Sequence, residues 1–146
     1  MVSMAIDTVD DAILGQLQID GRMSYRQLGE RVGLSPTATA ARIERLVADG
    51  IIEGFQARIN HRALGNTIHA IVDIRFNQTQ YGDDFLPLLE SLPAVTVARF
   101  VTGPFDCSLE VWVPSSDDLS QLLVDLKKTG DVAEMQTRLV LMVAKK

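Results

Sequence analysis

The short segment Gly33-Leu34-Ser35-Pro36 constrains the fold of this chain more than any other part of it. Glycine at position 33 suits the left-handed residue that ends a helix. Ser35-Pro36 then pairs a capping serine with a proline at the first helical position. The segment thus ends one helix and begins another within a few residues. Two helices joined by a short glycine-containing turn form a helix-turn-helix unit.

Amphipathic helices are predicted before this turn and on both sides of it. The first begins at Asp7 or Thr8 and ends at Asp20-Gly21, with apolar residues at helical spacing between them. The second opens on Ser24-Tyr25-Arg26-Gln27, a capping-box pattern, and the third runs from Pro36 to about Asp49. Residues 51–59 follow as a short β-hairpin or an extended arm.

The second helix of such a unit is the recognition helix, whose N-terminal residues enter the major groove of DNA. Small side chains at Thr37, Ala38 and Ala41 would let this helix approach base edges closely. Arg42 and Arg45 can reach guanine edges or phosphates. The predicted DNA-contacting residues are Arg22, Ser24, Arg26, Ser35, Pro36, Thr37, Ala38, Ala41, Arg42 and Arg45.

The distribution of charge supports this interpretation, although the total charge does not. The chain has 146 residues with 14 basic and 19 acidic side chains, a net charge of -5, and an acidic protein is not an obvious partner for phosphates. Between Arg22 and Leu46, however, five arginines are accompanied only by Glu30 and Glu44, so this window carries +3. A basic cluster is often a solvated helical face, and many three-helix bundles bind nothing. Its position on a helix-turn-helix favours DNA.

The rest of the chain is predicted to form an α+β domain of the ferredoxin-like βαββαβ type, with an antiparallel sheet and both helices on one face. The expected helix caps are Asp83 or Asp84 for the first helix and Ser115 or Ser116 for the second. The expected strands are 67–76, 95–101, 105–113 and 132–144.

The predicted domains are residues 1–60, a helix-turn-helix domain with its β-arm, and residues 67–146, with a linker at 61–66. One face of the predicted sheet is left uncovered by helices, and it carries Ile71 and Trp112 among polar side chains. Such a mixed face more often packs against another subunit than against water. A homodimer formed through the sheets is therefore expected.

Little in the sequence points to catalysis, metal binding or membranes. Cys107 is the single cysteine, so no internal disulfide can form, which fits a reducing cytoplasm. His61 and His69 stand outside any metal-ligand spacing, and no phosphate loop or nucleophile elbow occurs. No apolar run approaches the roughly 20 residues of a membrane span, and no signal-peptide pattern is present. We therefore predict a cytoplasmic protein with no catalytic residues, no metal, no cofactor and no membrane partner.

Several short motifs, some of them described above, are spread over nearly the whole chain. They are Asp7-Thr8-Val9-Asp10-Asp11-Ala12-Ile13-Leu14, Asp20-Gly21-Arg22, Leu34-Ser35-Pro36-Thr37, Arg42-Ile43, Arg45-Leu46, Gly50-Ile51-Ile52 and Thr102-Gly103-Pro104-Phe105-Asp106. Together they resemble the Lrp/AsnC, or feast/famine, transcription regulators of bacteria and archaea. The resemblance implies an N-terminal winged helix-turn-helix and a C-terminal effector-binding (RAM) domain. It also implies dimers that assemble further, to tetramers or octamers, and a response to amino acids or related metabolites.

An amino-acid effector needs N–H or hydroxyl donors for its carboxylate and an acceptor for its ammonium. The turn Thr102-Gly103-Pro104-Phe105-Asp106 offers a hydroxyl, a glycine that admits close backbone approach, and a carboxylate. The resemblance implies that the effector pocket lies at this turn, near subunit contacts, and that Gln136 and Thr137 complete it. The alternative is a plain β-turn in which Asp106 bonds its own backbone.

The function implied is that of a sequence-specific regulator that binds double-stranded DNA and responds to a small metabolite. Each dimer would place two recognition helices in successive major grooves, about 34 Å apart. Two alternatives remain open. One is an architectural, nucleoid-associated protein that binds DNA with little sequence preference; the other is an enzyme similar to the sirohaem decarboxylases, which share this scaffold.

Overall fold

The computed structural model describes residues 6–77, 85–128 and 131–144. These residues form two compact units that divide between Arg58 and Ile59, and each unit has its own apolar core. The predicted helix caps Asp83 and Asp84 lie outside the described residues.

The first unit contains three helices, α1 (Thr8–Ile19), α2 (Tyr25–Val32) and α3 (Pro36–Ala48). Helices this short are marginal in water by themselves, so packing must hold them. Their apolar faces meet in a core whose buried members are Ile13, Met23, Leu28, Ile43 and Leu46. The three predicted helices are confirmed, with boundaries that agree to within a residue or two.

The turn between α2 and α3 has the geometry that the sequence predicts. Gly33 is in the left-handed conformation, with φ +76°. The Ser35 side chain accepts a hydrogen bond from the backbone N–H of Ala38, and the capping box of Ser24 and Gln27 is complete. The two helices are therefore connected by a well-defined turn.

A further glycine, Gly29, allows α2 to approach this turn. A Cβ atom at position 29 would lie 2.5 Å from the carbonyl oxygen of Leu34 and 2.9 Å from the Thr39 hydroxyl oxygen. The fully buried Thr39 hydroxyl donates to the carbonyl oxygen of Ser35 at 2.9 Å. Because backbone and a bonded hydroxyl fill this space, position 29 cannot hold a side chain without displacement of its neighbours.

The β-hairpin predicted at 51–59 is wrong, because residues 51–60 contain no strand. The backbone N–H groups of Ile51 and Ile52 instead donate to the carbonyl oxygen of Leu46, at 2.9 and 3.0 Å, and both side chains pack on the helical core. From Glu53 to Asn60 the chain is exposed. An isolated two-stranded ribbon is marginal in water, and the alternative prediction of an arm describes this segment better.

The second unit is a four-stranded sheet with the order β2-β3-β1-β4, in which every neighbouring pair is antiparallel. Its strands are β1 (Ile68–Phe76), β2 (Val95–Phe100), β3 (Cys107–Val113) and β4 (Val132–Leu139). Helix α4 (Phe85–Ser91) lies between β1 and β2 in the chain, and α5 (Ser116–Lys127) lies between β3 and β4. The predicted ferredoxin-like βαββαβ order is confirmed.

The core of this unit lies between the sheet and the two helices. Alternate side chains of β1 and β3 enter it, as predicted, and Phe85 of α4 meets Phe76 edge to face, with ring centroids 4.8 Å apart. Its fully buried side chains are Val72, Ile74, Phe85, Cys107, Leu109, Val111 and Leu126. Both helices therefore cover one sheet face, and the face opposite them is called the outer face below.

Three details differ from the prediction. β3 begins at Cys107 rather than at position 105. A turn of 3-10 helix, His61–Leu64, occupies most of the expected linker. β4 ends at Leu139 rather than at position 144, because its partner β1 begins at Ile68 and offers little further backbone to pair with; the Val140 N–H makes one more bond, to the carbonyl oxygen of His69 at 2.8 Å. Among the described residues, no helix is long and apolar enough to cross a membrane.

Candidate DNA-binding and ligand-binding sites

The first half of α3 presents the small residues that the sequence predicts at the DNA. Thr37 and Ala41 are exposed, and Ala38 is half-buried. Ser35 and Pro36 are exposed at the helix N-terminus, where the Ser35 hydroxyl oxygen lies 3.2 Å from the Ala38 nitrogen. Small side chains and a helix N-terminus permit close approach to a base edge or a phosphate.

Arg42 and Arg45, further along α3, are held by two carboxylates of α1. Arg42 Nη1 lies 2.7 Å from Asp7 Oδ2 and 2.8 Å from Asp10 Oδ1. Arg45 Nη2 donates to Asp10 Oδ2. The side chain of Asp10 is 0% exposed, that of Arg42 is 29% exposed and that of Arg45 is 49% exposed. We call these four residues the acid–arginine cluster.

Every carboxylate oxygen of the cluster has a partner. Asp7 caps α1, with Oδ1 accepting the N–H groups of Val9 and Asp10 at 2.9 and 2.8 Å. Asp10 in return accepts the Asp7 N–H at 3.2 Å, in addition to its two arginines. A buried carboxylate is tolerated when its charge and its hydrogen-bonding capacity are both satisfied in this way.

The arginines keep both acids ionised. The hydrogen bond from Arg42 holds the pKa of Asp7 below its usual value. Burial raises the pKa of Asp10, but hydrogen bonds from Arg42, from the Asp7 backbone and from Arg45 outweigh burial and lower that pKa. The bonds to Asp7 and Asp10 in turn raise the pKa of Arg42.

This cluster changes the role that Arg42 can have. The sequence predicts that both arginines reach toward DNA, and it gives no sign of the acids, which lie 35 residues from them along the chain. Arg42 bridges two carboxylates and is mostly buried. It is therefore better placed to hold α1 and α3 together than to contact a base. Arg45, half-exposed, retains access to a ligand.

The other predicted DNA contacts lie on and before α2 and are exposed. Arg26 pairs with Glu30 at 3.1 Å on an open helix surface, where an ion pair contributes little and is easily exchanged. Arg22 is also exposed. The Ser24 hydroxyl is engaged in the helix cap, so its role is structural at least in part.

The turn before β3 holds the predicted effector residues, of which the first three are exposed and the fourth is half-buried: Thr102, Gly103, Pro104, Phe105 and Asp106. Gly103 has φ +122°, and a Cβ atom there would meet nothing within 4 Å. The glycine is thus required by the backbone conformation rather than by space. Asp106 bonds the neighbouring strand rather than its own backbone, with Oδ2 accepting the Phe76 N–H at 2.9 Å.

Gln136 and Thr137 lie on β4, which β1 separates from the strand that follows this turn. Gln136 is the register partner of Asp73, whose partner on the other side is Ser108 of β3. Two strand spacings, about 10 Å, therefore separate Gln136 from β3. Because successive strand residues face opposite sides, Gln136 lies on the outer face and Thr137 on the helix-bearing face. A single protomer does not bring all seven predicted effector residues together.

The outer face carries a ring cluster that no sequence pattern indicates. The imidazoles of His61 and His69 both stack on the indole of Trp112, with centroid distances of 5.0 and 4.0 Å. His69 Nε2 lies 3.0 Å from Glu110 Oε1, and Arg62 Cζ lies 6.0 Å from the centre of the indole ring. His69 is only 7% exposed, although α4 and α5 lie on the other side of the sheet, because Trp112 and the 3-10 turn that carries His61 lie beside it. Its pairing with Trp112 depends on the register of β1 and β3, which local sequence does not reveal.

Charged pairs extend across the outer face. Asp73 accepts a hydrogen bond from Arg138, and Arg75 pairs with Glu134 at 2.5 Å.

Beside the ring cluster lies a cavity of about 250 Å³, lined by Ile59, Asn60, His61, Arg62, His69, Trp112 and residues 140–143. In the part of the chain that the structure describes, no group of His, Cys, Asp and Glu side chains is placed to hold a metal ion.

Comparison with known proteins gives consistent matches over both units. Residues 6–47 match the family model of the AsnC-type helix-turn-helix domain, and residues 69–146 match that of the Lrp/AsnC ligand binding domain. The HTH-type transcriptional regulator LrpA of Mycobacterium tuberculosis is 33% identical over 133 residues, which cover 91% of this chain and 89% of that protein. The leucine-responsive regulatory protein of Escherichia coli is 34% identical over 120 residues, covering 81% and 73%.

Solved structures agree with these matches. The feast or famine regulatory protein of M. tuberculosis complexed with L-methionine has a TM-score of 0.88 at 31% identity, covering 97% of this chain and 96% of that one. The structure of E. coli AsnC has a TM-score of 0.85 at 27% identity, with coverage of 97% and 96%.

Fold and matches together define a transcriptional regulator in which a helix-turn-helix DNA-binding domain precedes a ligand-binding domain. The chain belongs to the Lrp/AsnC family of such regulators. Its relatives carry the names of regulators rather than of enzymes.

Proposed function

We propose that this regulator recognises specific sequences in double-stranded DNA through α3, and that an amino acid or a related metabolite alters its assembly on that DNA. The observation that carries the proposal is the exposed first half of α3, where Thr37, Ala38 and Ala41 leave room for base edges. The exposed Arg22 and Arg26 supply cations for phosphates, which position a protein on DNA without reading its sequence.

Two copies of the chain meet through their outer faces in this proposal. The face holds two nearly buried polar side chains, His69 and Asp73, and charges of both signs, so it can complement itself in an isologous dimer. Leu141 and Met142, beyond β4, are 92% and 80% exposed and supply apolar surface for such a contact. Dimers then assemble to tetramers or octamers.

The effector binds at the turn Thr102–Asp106, near a contact between copies. A carboxylate has two acceptor oxygens, and one oxygen of Asp106 is committed to Phe76, so the other is the acceptor for an ammonium group. Since β1 separates this turn from Gln136 and Thr137 within one protomer, a site that uses all of them needs a second copy. The methionine complex of the M. tuberculosis relative supports an amino acid as the ligand class.

Selection of bound fragments from a random pool of duplex DNA, with and without L-methionine, tests the proposal. We expect enrichment of a sequence with two half-sites about one helical turn apart. The variant Ala41→Glu places a negative charge on the exposed face of α3 and should abolish enrichment. Ala12→Glu, which adds the same charge at an exposed position of α1, is the matched control and should retain it.

Three outcomes would contradict this function. Binding without enrichment, competed equally by any duplex, indicates the architectural alternative. No binding to any duplex removes the DNA-binding role for the chain by itself. An absorption change on titration with sirohaem, together with loss of DNA binding, indicates the enzyme alternative.

A further inference from the structure

The exposed side of α3 contains one row of residues spaced by four: Thr37, Ala41 and Arg45. Residues at this spacing lie one above another on a helix face, and all three are exposed. Arg42 lies off this row and contacts Asp7. Arg45 is thus the arginine of α3 that shares a face with the small residues expected at the DNA.

The position of the Arg45 guanidinium is set by Asp10. The bond to Asp10 Oδ2 engages Nη2 of Arg45, and a guanidinium carries five N–H donors in a rigid fork. One edge of the fork can therefore hold the carboxylate while the other donors are presented outward. Asp10 is itself fixed by burial, by the Asp7 N–H and by Arg42.

We propose that Asp10 is a positioning residue for DNA binding, whose buried carboxylate holds Arg45 at the end of the exposed row, where Arg45 contacts a backbone phosphate. The inference rests on the proposed DNA-binding function. Asp10, an acidic residue of α1, would thus favour the binding of DNA, although both are negatively charged, because it acts through its ion pair with Arg45. A flexible arginine side chain loses conformational entropy when it contacts a phosphate. Because the bond to Asp10 already orders Arg45 in the free protein, less entropy is lost on binding DNA.

The proposal and simple electrostatics predict opposite effects of an Asp10 substitution on the affinity for DNA. Removal of a negative charge from a DNA-binding domain normally strengthens binding, because repulsion of phosphates decreases. If Asp10 positions Arg45, the change Asp10→Asn must instead weaken binding. Asp11→Asn is the matched control, since Asp11 occupies the next position in the same first turn of α1 and is exposed.

The experiment measures affinity of the full chain for its selected duplex as a function of salt concentration. We expect Asp10→Asn to bind about tenfold more weakly than wild type and its slope of log affinity against log salt to decrease by about one, as for loss of one phosphate contact. Asp11→Asn should bind at least as tightly as wild type with an unchanged slope. Destabilisation alone would not change the slope of the folded protein.

A double-mutant cycle shows whether Asp10 acts through Arg45. Asp10→Asn should have no further effect on affinity once Arg45→Ala is present. Equal losses in both backgrounds would overturn the proposal, as would an Asp10→Asn protein that behaves like Asp11→Asn. Failure of the wild-type protein to bind any duplex would instead overturn the proposed function and the inference with it.

Arg45→Lys keeps the test decisive if Asp10→Asn does not fold. It leaves Asp10 paired with Arg42 and preserves the charge, but a lysine ammonium lacks the fork that serves two partners at once. We expect the same loss of affinity and slope. Wild-type affinity and slope in this variant would overturn the positioning role.

Discussion

The carboxylate of Asp106 accepts a hydrogen bond from the backbone N–H of Phe76, with Oδ2 and nitrogen 2.9 Å apart. The Asp106 N–H also donates to the carbonyl oxygen of Ile74 at 2.9 Å. The turn that carries the predicted effector residues is thereby fixed to the end of β1. Asp106 has a structural role in addition to any role in ligand binding, and its substitution must separate the two.

Two substitutions at position 106 distinguish the structural role of Asp106 from its role in ligand binding. Asp106→Asn keeps a carbonyl oxygen for the Phe76 N–H but loses the charge for an ammonium, whereas Asp106→Ala loses both. We expect both variants to lose L-methionine binding in calorimetry, and only Asp106→Ala to lose stability, by about 1 kcal/mol for an unsatisfied N–H. Retained methionine binding by Asp106→Asn would remove Asp106 from the effector site.

Acid should destabilise the helix-turn-helix unit through the acid–arginine cluster. Hydrogen bonds from Arg42 lower the pKa of Asp7 in the folded protein. The unfolded chain therefore takes up protons first, near the usual value of 3.8. Stability is complete above that pH and is lost as pH falls through the lower, folded pKa. Urea unfolding followed by circular dichroism from neutral pH to about pH 3 measures this loss.

The variant Asp7→Asn provides the comparison for this acid effect. Asparagine is as good a helix cap as aspartate, but it cannot titrate, so the variant should lose less stability in acid than wild type. Asp11→Asn should lose as much as wild type. Parallel curves for Asp7→Asn and wild type would show that the cluster does not govern the response.

Cys107 should be unreactive until the second unit unfolds. The side chain is fully buried in β3, and burial raises its pKa to about 11, so little thiolate is present at neutral pH and none of it is accessible. We expect labelling by a disulfide reagent to be at least about a hundredfold slower in native protein than in urea. Labelling at similar rates in both conditions would place Cys107 on a surface.

Trp112 should report dimerisation through the outer face. It is the only tryptophan of the chain and is half-buried in the described protomer, so a partner packed on this face would remove water from the indole. Dilution that dissociates the dimer should shift its emission to longer wavelength, in step with the fall in mass measured by sedimentation. A dimer that dissociates with constant emission would indicate an interface elsewhere.

Substitution by alanine at two helical glycines should change the stability of the protein in opposite directions. At Gly29, the new Cβ atom would lie 2.5 Å from the Leu34 carbonyl oxygen, and we expect a loss of about 2 kcal/mol from forced displacement. At Gly15 in α1, the Cβ atom would meet nothing within 4 Å, and alanine should add about 0.5 kcal/mol through helix propensity. Thermal unfolding of the two variants measures both changes, and similar shifts would refute the packing role of Gly29.

Local chemistry made the turn and the helix caps predictable. Gly33 and Ser35 each satisfy backbone requirements within a few residues, so the sequence alone indicates the turn between α2 and α3. The alternation of apolar residues in β1 and β3 likewise predicts which sheet face is buried. The family resemblance added the ligand-binding domain, which no local pattern defines.

Contacts between distant segments were not predictable in the same way. Arg45 and Asp10 are separated by 35 residues, and a basic cluster looks alike in sequence whether its partners are phosphates or carboxylates. The stacking of His69 on Trp112 requires the register of two strands. The hairpin expected at 51–59 failed because alternation in sequence does not provide a third strand or a helix to cover it.

Contact between α2 and the turn at Gly29 has a consequence for regulation. Position 29 holds no side chain, and the space beside it is filled by the Leu34 carbonyl oxygen and by the Thr39 hydroxyl, which is bonded to the Ser35 carbonyl oxygen. We therefore expect this contact to hold α2 and α3 at a fixed angle to each other. In the function proposed above, the geometric variable left for a metabolite to adjust would then be the separation between two recognition helices, and with it the length of DNA between the two half-sites.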